Sequence, residues 1–170
     1  MLQNALIVIV IATYLLETWL DYLNQKSASN PLDPKIASLY DAKERERSIA
    51  YTAEKNRANF YASSFSTALM VLALGFGWFA SIDNWVRHLF QNELFISLGF
   101  IALLGIISWV LTSPFSIYAT FKIEAKYGFN KTTPKVYILD TLKGLILSVL
   151  IGGSILSAVI WLYQKLENSF

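Results

Sequence analysis

Four stretches of this 170-residue chain are each about 20 residues long and almost wholly apolar. No water-soluble domain of this size has enough interior to bury all four, whereas a bilayer solvates such runs directly. They lie at about residues 2–22, 60–82, 94–121 and 142–163, the first centred on Leu6-Ile7-Val8-Ile9-Val10-Ile11. At about 1.5 Å per residue, each reaches across about 30 Å of hydrocarbon as a helix. The runs do not alternate in polarity and are about twice the length a barrel strand needs, so strands are excluded. The fold class is therefore all-α, a polytopic membrane helix bundle of about four transmembrane helices, with the lipid bilayer as its first partner. Composition agrees: 55% of residues are hydrophobic and 15% charged, against about 25% charged in soluble domains.

The connectors set an expected topology. Residues 23–59 carry Lys26, Lys35, Lys43, Arg45, Arg47, Lys55 and Arg57, and residues 122–140 carry Lys122, Lys126, Lys131 and Lys135. Both loops fall on one side of a four-span bundle; the other side has Arg87, Lys165 and the N-terminus. The positive-inside bias places the two basic loops in the cytoplasm and both chain ends outside or lumenal, in a bacterial inner membrane or an endoplasmic reticulum membrane. Trp19, Trp78, Trp85, Trp161 and Tyr163 fall near span ends, as interfacial aromatics do, and Trp109 lies deeper. Met1-Leu2-Gln3-Asn4 has no basic stretch and no small-residue cleavage site follows the first run, so the start reads as a retained anchor.

Local chemistry punctuates the loops. Asn30-Pro31-Leu32 reads as a turn and Asp33-Pro34 as a helix start, predicting a cytoplasmic helix that feeds the second span. Asp41/Arg45, Glu44/Arg47 and Glu54/Arg57 are spaced to pair on its surface. Pro114 is expected to kink the third span, its freed carbonyl met by a neighbouring hydroxyl or water. Gly128 is suited to end that helix in a left-handed turn, and Thr133-Pro134 to start the next. Gly144, Ser148 and Gly152, with Gly153 and Ser157 beside them, form a small-residue stripe suited to close helix packing or, less simply, to a homodimer face.

A search for chemistry excludes more than it finds. A net charge of +2 gives no footprint for nucleic acid. With no cysteine, thiol nucleophiles, disulfides and thiolate metal sites are impossible. The one histidine, His88, sits in a predicted short outer loop and cannot build a hydrolytic metal site alone. No nucleophile elbow, phosphate loop or dinucleotide fingerprint is present. No catalytic or metal-binding residue is therefore assigned within this chain. The intramembrane acid candidates are Glu17 and, one turn on, Asp21; a carboxylate within a span is costly unless it faces water or a partner such as Lys126 or Lys143, or reaches the interface directly.

Ile123-Glu124-Ala125-Lys126-Tyr127-Gly128-Phe129-Asn130-Lys131-Thr132-Thr133, followed by Asp140-Thr141-Leu142-Lys143-Gly144, resembles the CAAX prenyl protease family of integral membrane zinc metallopeptidases. Ser48, Tyr51, Lys55, Arg57 and Phe60 resemble that family's approach to its second span. The resemblance covers essentially all of residues 1–170, as a single N-terminal transmembrane domain. It implies that Glu124, Gly128, Phe129, Asn130, Lys131, Thr133, Asp140 and Lys143 form a family joint, with Glu124, Asn130 and Asp140 orienting it or capping it locally. It further implies a parent zinc endopeptidase whose membrane helices wall a chamber, with peptide or prenylated protein substrates. The family's His-Glu-x-x-His helix and further glutamate ligand lie downstream and have no counterpart here, so the expectation is a domain that binds no zinc itself and is inert without that segment. The rival reading is a non-enzymatic helical scaffold, channel or small transporter subunit.

Overall fold

A computed structural model describes residues 1–28, 30 and 41–167. Its elements are α1 (Leu2–Ala28), α2 (Ala42–Gly75), α3 (Trp78–Leu89), α4 (Glu93–Tyr118) with a π-helical continuation (Ala119–Glu124), then α5 (Pro134–Leu147), a second π-helical segment (Ser148–Gly152) and α6 (Gly153–Glu167). Among the described residues the regular structure is helical throughout. Within the described residues, four helical stretches are long and apolar enough to cross a membrane: Leu2–Ala28, Ala42–Gly75, Glu93–Glu124 and Pro134–Tyr163. The expected all-α membrane architecture holds. Val86, Ile96 and Ile123 are the buried hydrophobics among the described residues, while leucines, isoleucines and aromatics stay exposed along every span. In water that surface would be unsustainable; in lipid it is the solvated one.

The chain divides into two compact units, Met1–Trp78 with Val110–Asn130, and Phe79–Trp109 with the chain from Lys131 onward. In the first unit α1 and α2 run antiparallel. The Gln3 side-chain amide donates to the Leu74 carbonyl, and the Tyr14 hydroxyl lies 2.6 Å from Ser64 Oγ. α2 begins at Asp41, whose carboxylate accepts from the Lys43 amide at 2.8 Å, and it continues unbroken into the second span, as expected for a helix feeding it. The predicted Asp33-Pro34 start, and the predicted turn beyond Asn30, lie outside the described residues.

In the third span, Pro114 cannot bond the Val110 carbonyl, and Ser113 Oγ donates to that carbonyl at 3.1 Å instead. The π-helical turn that follows leaves the Thr120 carbonyl to accept from Asn130 Nδ2 at 3.1 Å. The helix ends in a Schellman arrangement: Gly128 has φ 77°, its amide donates to Ala125 O at 3.1 Å and the Phe129 amide to Glu124 O at 2.9 Å.

The chain around the end of α2 corrects two expectations. The second span does not run to residue 82: α2 stops at Gly75, and Gly77 turns the chain at φ 68°. Residues 84–88, read as part of a short loop, belong to the separate amphipathic helix α3. Trp78–Ile82 is apolar, so it extended the hydropathy run, but two glycines one residue apart cost helical stability and allow the turn. α3 buries Val86, 1% exposed, beside Gly99 and Phe90. Arg87 bridges Asp83 at 2.8 Å and Glu93 at 3.1 Å.

Thr133 caps α5, its hydroxyl accepting from the Val136 amide at 3.3 Å with Pro134 in the first turn, as the sequence indicates. In the small-residue stripe, a Cβ added at Gly144, Gly152 or Gly153 would meet nothing within 4 Å among the described residues beyond its own stretch of helix backbone.

Candidate joint on the loop face

Arg47, Tyr51, Glu54 and Lys55 recur at helical spacing along one stripe of α2's polar half. They meet the end of the third span. Glu54 Oε2 accepts from Lys126 Nζ at 2.6 Å and from the Tyr127 hydroxyl at 3.0 Å. Lys55 Nζ donates to the Tyr51 hydroxyl at 3.1 Å and lies 3.7 Å from Glu124 Oε1. Arg47 donates to the Tyr127 carbonyl, one of the backbone acceptors a helix C-terminus leaves open.

Between these polar bonds lies an aromatic cluster. The Tyr51 ring stands edge-on to Tyr127 at 5.3 Å and tilted against Phe129 at 4.7 Å, spacings at which ring quadrupoles attract. Ile123, on the π-helical turn just before Tyr127, is buried at 1% exposure. The hydrogen bond to Glu54 raises the Lys126 ammonium above the usual lysine value, against a smaller opposing desolvation.

The sequence-predicted joint residues divide. Glu124, Gly128, Phe129 and Asn130 come together: Glu124 offers its side chain to Lys55 and its carbonyl to the Phe129 and Asn130 amides, the latter at 3.2 Å, and Asn130 closes the π-helical turn. Gly128 leaves its Cα within reach of Arg47, whose Nη2 would sit 3.3 Å from an added Cβ. Lys131 is exposed on the segment leading to Thr133. Asp140 and Lys143, in the second unit, pair with each other at 3.7 Å and stay well exposed.

Several expected partners are replaced. Lys126 bonds Glu54, not Glu17, and Glu54 bonds Lys126 rather than Arg57. Arg45 donates to the Asn30 carbonyl at 2.6 Å while Asp41 caps the helix. Glu17 is exposed on α1, and of the two acid candidates Asp21 lines a groove. Arg47 and Glu54 are the joint residues that sequence reasoning missed; the signal was their seven-residue spacing on one helical stripe with Tyr51 between them.

Among the described residues no three His, Asp or Glu side chains are grouped to hold a metal ion. His88 turns its Nδ1 to the Asn84 carbonyl at 2.6 Å. The donor set does not fit a hydrolytic zinc, and no step through one is derived from these residues. Chemically the joint is a clamp: it fixes the angle between two helix ends and pairs no nucleophile with a base.

Residues 21–170 match the family described as CAAX prenyl protease N-terminal, five membrane helices. The chain is 33% identical over 170 residues to a rice CAAX prenyl protease 1 homolog, covering 95% of this chain and 40% of the relative. It is 35% identical over 167 residues to the Arabidopsis thaliana homolog, covering 92% and 39%. The crystal structure of S. mikatae Ste24p superposes with a TM-score of 0.84 at 27% identity, over 99% of this chain and 40% of that one. The chain thus spans about 40% of the length of the curated relatives it matches.

Proposed function

This chain belongs to the CAAX prenyl protease family, as its N-terminal membrane domain, and from that premise we propose that it forms part of the chamber wall of a zinc endopeptidase and is inert by itself. Zinc, held by a downstream His-Glu-x-x-His segment, would polarise the scissile carbonyl and activate water. This chain's residues would instead support that segment and admit a peptide or prenylated protein substrate. Glu124 and Asn130 act as positioning residues, holding the turn that presents Phe129.

One observation carries the reading. Two motif fragments more than 60 residues apart, Tyr51/Lys55 and Gly128-Phe129-Asn130, converge on one clamp, and Phe129 remains 63% exposed beyond it. A large apolar side chain held rigidly at a polar surface is the kind of anchor a docking segment uses.

Metal analysis and a prenyl-peptide cleavage assay on the purified chain test the proposal. The expected result is no stoichiometric zinc and no cleavage; tight zinc binding or turnover by this chain alone overturns it. The proposed orientation, with the joint in the cytoplasm of an endoplasmic reticulum-type or bacterial inner membrane, is tested separately. Cysteines replacing Lys43 and Lys131 should label from the cytoplasm and one replacing Arg87 from outside, and the reverse pattern inverts the topology.

A further inference from the structure

Below the joint, α1 and α2 separate to leave a groove of about 660 Å³, whose walls include Asp21, Tyr22, Glu54, Arg57 and Phe60. Its volume is that of an ordinary small-molecule site. Its level in the bilayer follows from its neighbours. The apolar run of α1 ends here, and Trp19 and Tyr22, each more than half exposed, are residues that favour the headgroup region.

The charges in the groove are arranged unusually. Glu54 is already committed to Lys126 and Tyr127. That leaves one carboxylate, Asp21, and one guanidinium, Arg57. The register set by the Gln3–Leu74 and Tyr14–Ser64 bonds places these two at the same height on facing helices. Both line the groove, yet among the described residues neither closes an ion pair on the other. Arg57 carries five N–H donors in a planar fork.

We propose that this groove binds the headgroup of a zwitterionic phospholipid, with the phosphate on Arg57 and the ammonium on Asp21. A guanidinium fork matches phosphate oxygens, and the carboxylate supplies the opposite charge at the same depth. An anionic headgroup satisfies Arg57 but sets its surplus negative charge against Asp21. Two ammonium chemistries fit the cationic end. A primary amine donates hydrogen bonds to Asp21 and the Thr18 hydroxyl, which also lines the groove, whereas a quaternary ammonium lies against the faces of Tyr22 and Phe60.

Native mass spectrometry of the delipidated chain, titrated with phosphatidylethanolamine, phosphatidylcholine or phosphatidylglycerol of identical acyl chains, tests this. One site retaining a zwitterionic lipid about fivefold or more tightly than phosphatidylglycerol is expected. Preference for the ethanolamine lipid identifies hydrogen bonding at Asp21, and equal retention of choline lipid identifies the aromatic faces. Asp21→Asn should narrow the gap to phosphatidylglycerol, and Arg57→Gln should weaken all three lipids about fivefold. Helical circular dichroism before titration verifies each variant; if Arg57→Gln loses helix, Phe60→Leu supplies the second measurement and should weaken retention of the preferred lipid. Equal retention of the three lipids, preference for phosphatidylglycerol, or binding unmoved by both charge substitutions overturns the proposal.

Discussion

Two corners of this protein join helix to helix, and they are built from opposite ranges of sequence. In the α3–α4 corner, Val86, Arg87 and Phe90 meet Asp83, Glu93 and Gly99, all within about two turns of chain on either side. In the loop-face joint, Glu54 reaches Lys126 and Arg47 reaches Tyr127, contacts separated by 72 and 80 residues. The α3–α4 corner is a hairpin whose closure costs little loop entropy. The joint exists only once two spans are side by side, so its polar bonds record that assembly and disturbing them should loosen distant segments together.

The largest effect is expected at Tyr51, which holds both aromatic contacts of the joint. Tyr51→Ala should destabilise the first unit by about 2–3 kcal/mol, from two ring pairs and the packing around them. Thermal unfolding in detergent measures the loss, and hydrogen exchange locates it. Amides near residues 45–55 and 119–130 should accelerate together; acceleration confined to α2 would break the contrast between the two corners.

Gly128→Ala comes next. The residue sits at φ 77°, where a Cβ costs about 1–2 kcal/mol, and that Cβ would press on Arg47 at 3.3 Å. The matching substitution in the α3–α4 corner is Gly99→Ala, whose Cβ would lie 3.1 Å from both Phe90 and Val86 side chains. Overpacking there should cost about 1–2 kcal/mol, and exchange should rise only over about residues 79–99. If Gly99→Ala also loosens residues 119–130, the α3–α4 corner is not the local device its contacts describe.

This contrast explains how much was legible in the sequence. Spans were legible because hydropathy is summed over about 20 residues and survives any local error. The stop at Gly128 and the start at Thr133-Pro134 were legible because caps are chemistry of adjacent residues. The break after Gly75 was not, since Trp78–Ile82 continues the apolar run and hides a glycine signal present in the letters. Charge partners were misassigned for a different reason. Glu54 has Arg57 one turn away, and nothing in the spacing says that Lys126 will be nearer. The joint residues around Gly128 were found through family likeness, whereas Arg47 and Glu54 needed the fold.

The smallest effect is the most discriminating. Glu54 and Lys126 are partly exposed, so their pair contributes modestly and weakens with salt. Its sign still distinguishes the two arrangements. In a double-mutant cycle, Glu54→Gln and Lys126→Met should each lower the unfolding midpoint, and the double variant should be little worse than either single one. The companion cycle, Glu54→Gln with Arg57→Gln, should be additive, because among the described residues Glu54 pairs with Lys126 and not with Arg57. Raising the salt from 50 to 500 mM should shrink the first coupling and leave the second near zero. Coupling to Arg57 as large as that to Lys126 would mean the neighbouring residue on the helix, and not the residue from the distant span, is Glu54's working partner. The clamp would then rest on its aromatic rings, the Arg47 bond and the Lys55–Glu124 pair.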